Sequence, residues 1–168
     1  VGKVLLNIDK DCTVLDLGCG GRRNIEYFLI KADKVYDLDH SETSVKMASE
    51  INNKEIESGR CQILVGDVKS LPFKDESIDI VTAFETIYFW DGIEKCFKEI
   101  YRVLKKGGQF LMCNEASSKE RRDVKKLSNI INFEVYTPDE LTKMLTELGF
   151  CCQYHLDRKK QMVVIAKK

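Results

Sequence analysis

With 168 residues, 43% hydrophobic and 32% charged, the chain is sized for one compact domain, residues 1–168, with a substantial core. Lysine plus arginine equals aspartate plus glutamate at 27 each, so no net field draws the molecule to nucleic acid or to an acidic membrane surface. No apolar run approaches the roughly 20 residues that span a bilayer, no signal-peptide pattern opens the chain, and seven cysteines without C-x-x-C or zinc-like spacing argue against a disulfide framework or metal site, so a soluble, cytoplasmic protein with free thiols is expected.

Short β-branched apolar runs alternate with helical patterns, as βαβ units around a mostly parallel sheet require. The first strand is expected at Thr13 to Leu17, followed by a short helix from Arg22 to Lys31 and a second strand at Lys34 to Asp39. Ser41 caps the next helix, which runs to Asn53 with Val45, Ala48 and Ile51 facing inward; strands follow at Cys61 to Val65 and Ile78 to Phe84. Ile93, Cys96, Phe97, Ile100, Tyr101 and Leu104 recur at helical spacing and form one apolar stripe. The fifth strand is expected at Gln109 to Asn114. From Ala116 to Val135 the pattern is least regular, and its charged run Lys119 to Lys126 reads either as a solvated helix or as a mobile cap. Thr137-Pro138-Asp139-Glu140 is a capping box with proline at the first helical position, opening a helix whose buried stripe is Leu141, Met144, Leu145 and Leu148 and which Gly149 stops. Two further strands, Cys151 to Leu156 and Met162 to Ala166, close the chain. Alternating burial is the plainer account of the adjacent Cys151 and Cys152.

The run Val14-Leu15-Asp16-Leu17-Gly18-Cys19-Gly20-Gly21-Arg22 sets a carboxylate two residues ahead of a glycine turn at a strand tip. Glycines there let backbone approach a ligand, and the following helix offers unpaired N–H groups. Asp16 decides which ligand is suited: a pyrophosphate would meet roughly 4 kcal/mol of repulsion at about 4 Å and an effective dielectric of about 20, whereas an amine or sulfonium would be attracted. Four other segments stand beside it in chain order: Val35-Tyr36-Asp37-Leu38-Asp39-His40-Ser41, Gly66-Asp67-Val68, Leu71-Pro72-Phe73 with Ser77-Ile78-Asp79-Ile80-Val81, and Leu104-Lys105-Lys106-Gly107-Gly108-Gln109-Phe110.

On these segments the chain resembles the class I S-adenosylmethionine-dependent methyltransferases, of the small-molecule, methyltransferase type 11-like kind. The resemblance implies an α/β, Rossmann-like sheet of seven mostly parallel strands in the order 3-2-1-4-5-7-6, strand 7 antiparallel, with helices on both faces. It implies S-adenosylmethionine as cofactor and a small-molecule methyl acceptor as partner. Asp39 would take the ribose diol, Asp67 the adenine amino group and the Val68 amide the adenine ring, with His40 flanking the base; Asp16, Gly18, Cys19, Gly20 and Phe84 complete the expected cofactor site. Each aspartate has a plainer alternative, capping its own turn. Residues 115–136 correspond to the segment that often covers the substrate. Only Val1 to Ile8 precede the first strand, where relatives commonly carry a helix that closes over the cofactor, so an open pocket is expected if nothing more exists upstream of Val1.

The resemblance breaks at Arg22, where the glycine turn G-x-G-x-G would have its third glycine. If that position needs positive φ, a non-glycine residue costs about 1–2 kcal/mol, and an uncompensated guanidinium about 4 Å from a sulfonium costs a further few kcal/mol at an effective dielectric of about 20. A pairing of Arg22 or Arg23 with Asp37 or Asp16 would restore neutrality or plug the site. After the fourth strand, Ala83-Phe84-Glu85-Thr86-Ile87-Tyr88-Phe89-Trp90 offers Tyr88 and Trp90 as aromatic contacts for donor or substrate, and Glu85 and Tyr88 as candidate catalytic residues, Glu85 as a base or as a cofactor or turn ligand; Ile87 and Phe89 are expected in the core. The competing reading is a non-catalytic, methyltransferase-like binding or regulatory module impaired by Arg22. A nicotinamide-dependent dehydrogenase would need glycine where Arg23 stands.

Overall fold

The structure, a computed structural model, describes residues 8–18, 23–118, 133–158 and 161–168. Seven strands form one sheet in the order β3-β2-β1-β4-β5-β7-β6. They are β1 (Thr13–Leu17), β2 (Lys34–Asp39), β3 (Cys61–Val65), β4 (Ile78–Phe84), β5 (Leu104–Asn114), β6 (Cys151–Leu156) and β7 (Met162–Lys167). All neighbours pair in parallel except β7, which runs antiparallel to both β5 and β6. Fold class, strand order and the reversed strand are as the resemblance implied.

The apolar alternation of the strands divides the core in two. Leu15 and Leu17 of β1, Phe110 and Met112 of β5 and Val164 of β7 point to one face. There α4 (Ile93–Val103) lays down Phe97, Ile100 and Val103 and α5 (Pro138–Glu147) lays down Leu141 and Leu145, all inaccessible to solvent. Truncating such a side chain to alanine costs about 2–5 kcal/mol. Val14, Val35, Ile80, Leu111 and Ile165 face the other way, onto Ile25, Phe28 and Leu29 of α1 (Arg23–Leu29). The capping box of α5 is present, with the Glu140 amide donating to Thr137 Oγ1 at 3.2 Å and the Thr137 amide donating to Glu140 Oε2 at 2.8 Å.

Two local expectations are corrected. α2 (Glu42–Ile51) buries Ala48 but leaves Ile51 54% exposed; the inner position one residue on is held by Asn52, whose Nδ2 donates to the Ala48 carbonyl at 2.8 Å and which begins the separate short helix α3 (Asn53–Glu57). β5 also starts earlier than Gln109. Leu104 pairs with Ile78, then Lys105 to Gly108 leave the ladder, and Gln109 resumes it opposite Ile80. A Cβ on Gly108 would stand 2.9 and 3.0 Å from the carbonyl oxygens of Lys105 and Asp79, so this bulge requires glycine there.

Parallel connections bring the turns after β1, β2, β3, β4 and β5 to one edge of the sheet. That edge carries a cavity of about 650 Å³, within the range of small-molecule sites.

Candidate active site

The cavity gathers residues distant in sequence: Gly18 after β1, Asp39 and His40 at the end of β2, Asp67 and Val68 after β3, and Phe84 and Glu85 at the end of β4. Trp90 lines it too, backed by Phe97 at a ring separation of 6.4 Å. Cys19 and Gly20 lie outside the described residues, as do Arg22 and residues 119–132 of the expected 115–136 cap; the Arg23 side chain is likewise not described, so the expected pairing of Arg22 or Arg23 with Asp37 or Asp16 falls outside the described residues too.

Asp39 and Asp67 are set by their own turns. Asp39 Oδ1 accepts from the Ser41 amide at 2.8 Å, and Ser41 in turn caps α2 by accepting from the Ser44 amide at 3.2 Å. His40 Nδ1 stands 3.5 Å from the same carboxylate oxygen, with the ring 88% exposed at the rim. Asp67 Oδ1 accepts from the Lys69 amide at 2.8 Å. Lys69 Nζ lies 3.6 Å from Asp67 Oδ2 and 3.4 Å from Asp91 Oδ2, and these carboxylates, Asp67 foremost, raise the pKa of its ammonium. The turn-capping alternative is thus realised for both aspartates, and both capped residues line the cavity.

Asp16 occupies a different place. It is 1% exposed and does not line the cavity; Oδ1 accepts from Thr82 Oγ1 at 2.5 Å and Oδ2 from Asn24 Nδ2 at 2.9 Å, bracing β1 against β4 and α1 beneath the glycine turn. It stands in register beside Asp37, 2% exposed, on β2.

Gly18 has φ +110°, and its amide donates to the Leu38 carbonyl at 2.9 Å. A Cβ there would sit 2.4 Å from Thr86 Cγ2, so only glycine lets β1 and the β4 turn close on one another. Thr86 Oγ1 is buried against the cavity without a hydrogen-bond partner among the described residues.

The β4 turn is held by long-range contacts. Glu85 adopts φ +60°, uncommon for a residue with a side chain. Its Oε1 accepts from the Glu115 amide at 2.7 Å and its Oε2 from Tyr88 Oη at 3.0 Å. Burial of the carboxylate raises its pKa, opposed by those two donors. Tyr88 Oη also accepts from the Ala116 amide at 2.9 Å, and burial pushes its own pKa up. The phenol, 5% exposed, does not line the cavity; it latches the β4 turn to the segment after β5. Its ring stacks on Phe133 at 4.6 Å. Phe89, expected in the core, is instead 54% exposed and on the cavity wall beside Trp90, while Ile87 is buried as expected. Helical phase accounts for the exchange: Ile87 to Phe89 form a single 3-10 turn, which swings consecutive side chains about 120° apart.

Sequence reasoning also missed Asn24, Lys69, Thr86, Asp91 and Cys96 on the wall. Cys96 belongs to the α4 stripe, and its helical spacing was the available signal; burial raises its thiol pKa to about 11, which keeps it protonated. Among the described lining residues, four carboxylates (Asp39, Asp67, Glu85, Asp91) stand against one ammonium, Lys69. This balance favours a cationic ligand, and the pinched Gly18 turn and unpaired Thr86 hydroxyl fit a nucleoside laid across the strand tips.

Residues 15–112 match the family model described as "Methyltransferase domain". The chain is similar to the cycloartenol-C-24-methyltransferase 1 of Oryza sativa subsp. japonica, 32% identical over 137 residues, which are 74% of this chain and 39% of that one. It spans well under half the length of the curated relatives it matches first. Among solved structures it is similar to the YcgJ protein of Bacillus subtilis, with a TM-score of 0.79 at 17% identity, covering 96% of this chain and 94% of that one. It is also similar to the geranyl diphosphate C-methyltransferase of Streptomyces coelicolor A3(2), solved with S-adenosyl-L-homocysteine, with a TM-score of 0.81 at 13% identity over 99% and 73% of the two chains.

Proposed function

The chain belongs to the methyltransferase domain family, and on that premise we propose that it carries a methyl group from S-adenosylmethionine to a small-molecule acceptor at the tips of β4 and β5. The observation that carries the reading is the convergence of Asp39, Asp67 and Glu85 on one cavity whose floor, at Gly18, has room for backbone only.

S-adenosylmethionine supplies, when bound, an electrophilic methyl group on a sulfonium. In this reading Asp39 holds the ribose diol with its carboxylate, and Asp67 with the Val68 amide holds the adenine edge. His40 covers the base from the rim. The excess of carboxylates on the wall offsets the positive charge of the donor, and Asp16 acts from beneath by fixing the β1 tip to Thr82 and Asn24. Phe89 and Trp90 shape the acceptor side and exclude water. Glu85, whose raised pKa brings it nearer to neutrality than an ordinary carboxylate, takes a proton from the acceptor at a carboxylate oxygen. Tyr88 positions Glu85. Curated relatives named for sterol C-methylation support a small-molecule acceptor. No described helix is long and apolar enough to cross a membrane, and a cytoplasmic setting is part of the same proposal.

The test is calorimetry of the full chain with S-adenosylmethionine and S-adenosylhomocysteine, with the single tryptophan, Trp90, as a fluorescence reporter on the cavity wall. Saturable binding of both is expected. Binding that occurs only in Arg22→Gly would instead support the second reading, a non-catalytic module, which the arginine in the glycine turn favours.

A further inference from the structure

Behind Glu85 lies a second, smaller cavity of about 130 Å³, room for about four waters or one planar polar group. Its wall includes Glu85, Asn114, Glu115, His155, Asp157 and Gln161, and Glu85 is shared with the larger cavity. The far side is the mouth of the β6–β7 hairpin, closed by the Gln161 amide donating to Asp157 Oδ1 at 2.8 Å.

Asn114 ends β5 opposite Met162 of β7 and is 2% exposed. Both Oδ1 and Nδ2 of its carboxamide are buried without a hydrogen-bond partner among the described residues. Burying an amide with neither edge paired is costly, and a leucine of similar size would fill the position without that cost. Asn114 contributes to the wall of this cavity, and its carboxamide, closed to a water molecule, keeps a donor and an acceptor side by side that a group presenting an acceptor and a donor side by side would match. Nearby, Glu85 has one donor on each oxygen, Tyr88 Oη and the Glu115 amide, and a carboxylate oxygen has capacity for a second.

We infer that this cavity holds the polar end of the methyl acceptor, and that this end is a planar group with adjacent N–H donor and acceptor, a carboxamide or the edge of an amino-substituted nitrogen heterocycle, paired with Asn114. The inference rests on the acceptor-side reading given under Proposed function and deepens it. It sets this chain apart from acceptors that present only hydrocarbon at the β4–β5 edge. Glu85, standing between the two compartments, is then the group that separates the acceptor's anchored end from its reacting atom.

The test titrates the full chain, labelled with nitrogen-15, with benzamide and 2-aminopyridine as polar probes and ethylbenzene as an apolar match, with and without S-adenosylhomocysteine. The expected result is saturable binding of the polar probes, with shifts at the Asn114 and Glu115 backbone amides and the Asn114 side-chain NH2, and a loss of about tenfold or more in Asn114→Leu. Should Asn114→Leu not fold, the shifts in the unaltered protein decide alone. Absence of saturable binding, equal binding of ethylbenzene, or shifts that miss Asn114 and Glu115 would each overturn the inference. Failure of S-adenosylhomocysteine to bind sinks the donor-site reading separately, because the probes are also titrated without it.

Discussion

The two halves of the strand-tip edge are built on different principles. On the β1–β2–β3 side each polar group is fixed within its own turn: Asp39 by the amide of Ser41 and Asp67 by the amide of Lys69, both two residues on. On the β4–β5 side the fixing contacts reach across the fold, from Glu85 to the Glu115 amide and from Tyr88 to the Ala116 amide, 30 and 28 residues apart. The first half is a row of independent holders that any sequence preserving each turn will reproduce. The second is one interlocked unit, in which loss of a single member disturbs the others.

Gly18→Ala breaks the comparison most severely, because Gly18 joins the halves. The added Cβ meets Thr86 Cγ2, and φ +110° is forbidden to it. Backbone strain of about 1–2 kcal/mol and overpacking of about 1–3 kcal/mol add. A clear drop in melting temperature and loss of measurable S-adenosylhomocysteine binding are expected. Adding Thr86→Ser removes Cγ2 and recovers the packing share of the stability but not the backbone share.

Asp39→Ala tests the independent half. Removing a carboxylate paired with a diol costs about 1.5–3 kcal/mol of binding, about ten- to a hundredfold in S-adenosylhomocysteine affinity by calorimetry. Binding within twofold of the unaltered protein would remove Asp39 from the site.

Tyr88→Phe tests the interlocked half. It deprives Glu85 of a donor and leaves the Ala116 amide facing a ring edge. A stability loss of about 1–3 kcal/mol is expected in chemical denaturation, with turnover reduced and S-adenosylhomocysteine affinity within twofold. Equal losses of nucleoside affinity in Tyr88→Phe and Asp39→Ala would show that the halves are not separable.

What could be read from the sequence follows the same division. The strands announced themselves because each is a β-branched run cut by glycine or polar residues, and the aspartates at their tips sit at fixed offsets in locally determined turns. The early start of β5 was hidden because Leu104 pairs with Ile78 across a bulge that no local pattern encodes. Asn52, not Ile51, packs inward because the helix ends there and Asn52 satisfies the Ala48 carbonyl, a choice that periodicity alone cannot make. Tyr88 and Phe89 exchanged roles because a three-residue 3-10 turn has no period to read. Asn114 gave no signal at all: in sequence it is the polar residue that ends an apolar strand, and only the β7 pairing and the hairpin mouth make it a buried one.

Glu85→Gln gives the smallest effect on stability, one of sign. The folded protein holds the Glu85 carboxyl above its ordinary pKa, so between that ordinary value and the raised one the folded state keeps a proton that the unfolded chain has released. Stability from this group is therefore full at acid pH and is lost as pH rises through the folded pKa. Glutamine has no such loss. The melting temperature of Glu85→Gln relative to the unaltered protein should climb as pH rises from the ordinary carboxylate range through the raised folded-state value and then level off, with turnover below that of the unaltered protein throughout. A difference that shrinks with rising pH would mean that the donors from Tyr88 and Glu115 outweigh burial, and that Glu85 is held as a fully ionised ligand rather than poised to accept a proton.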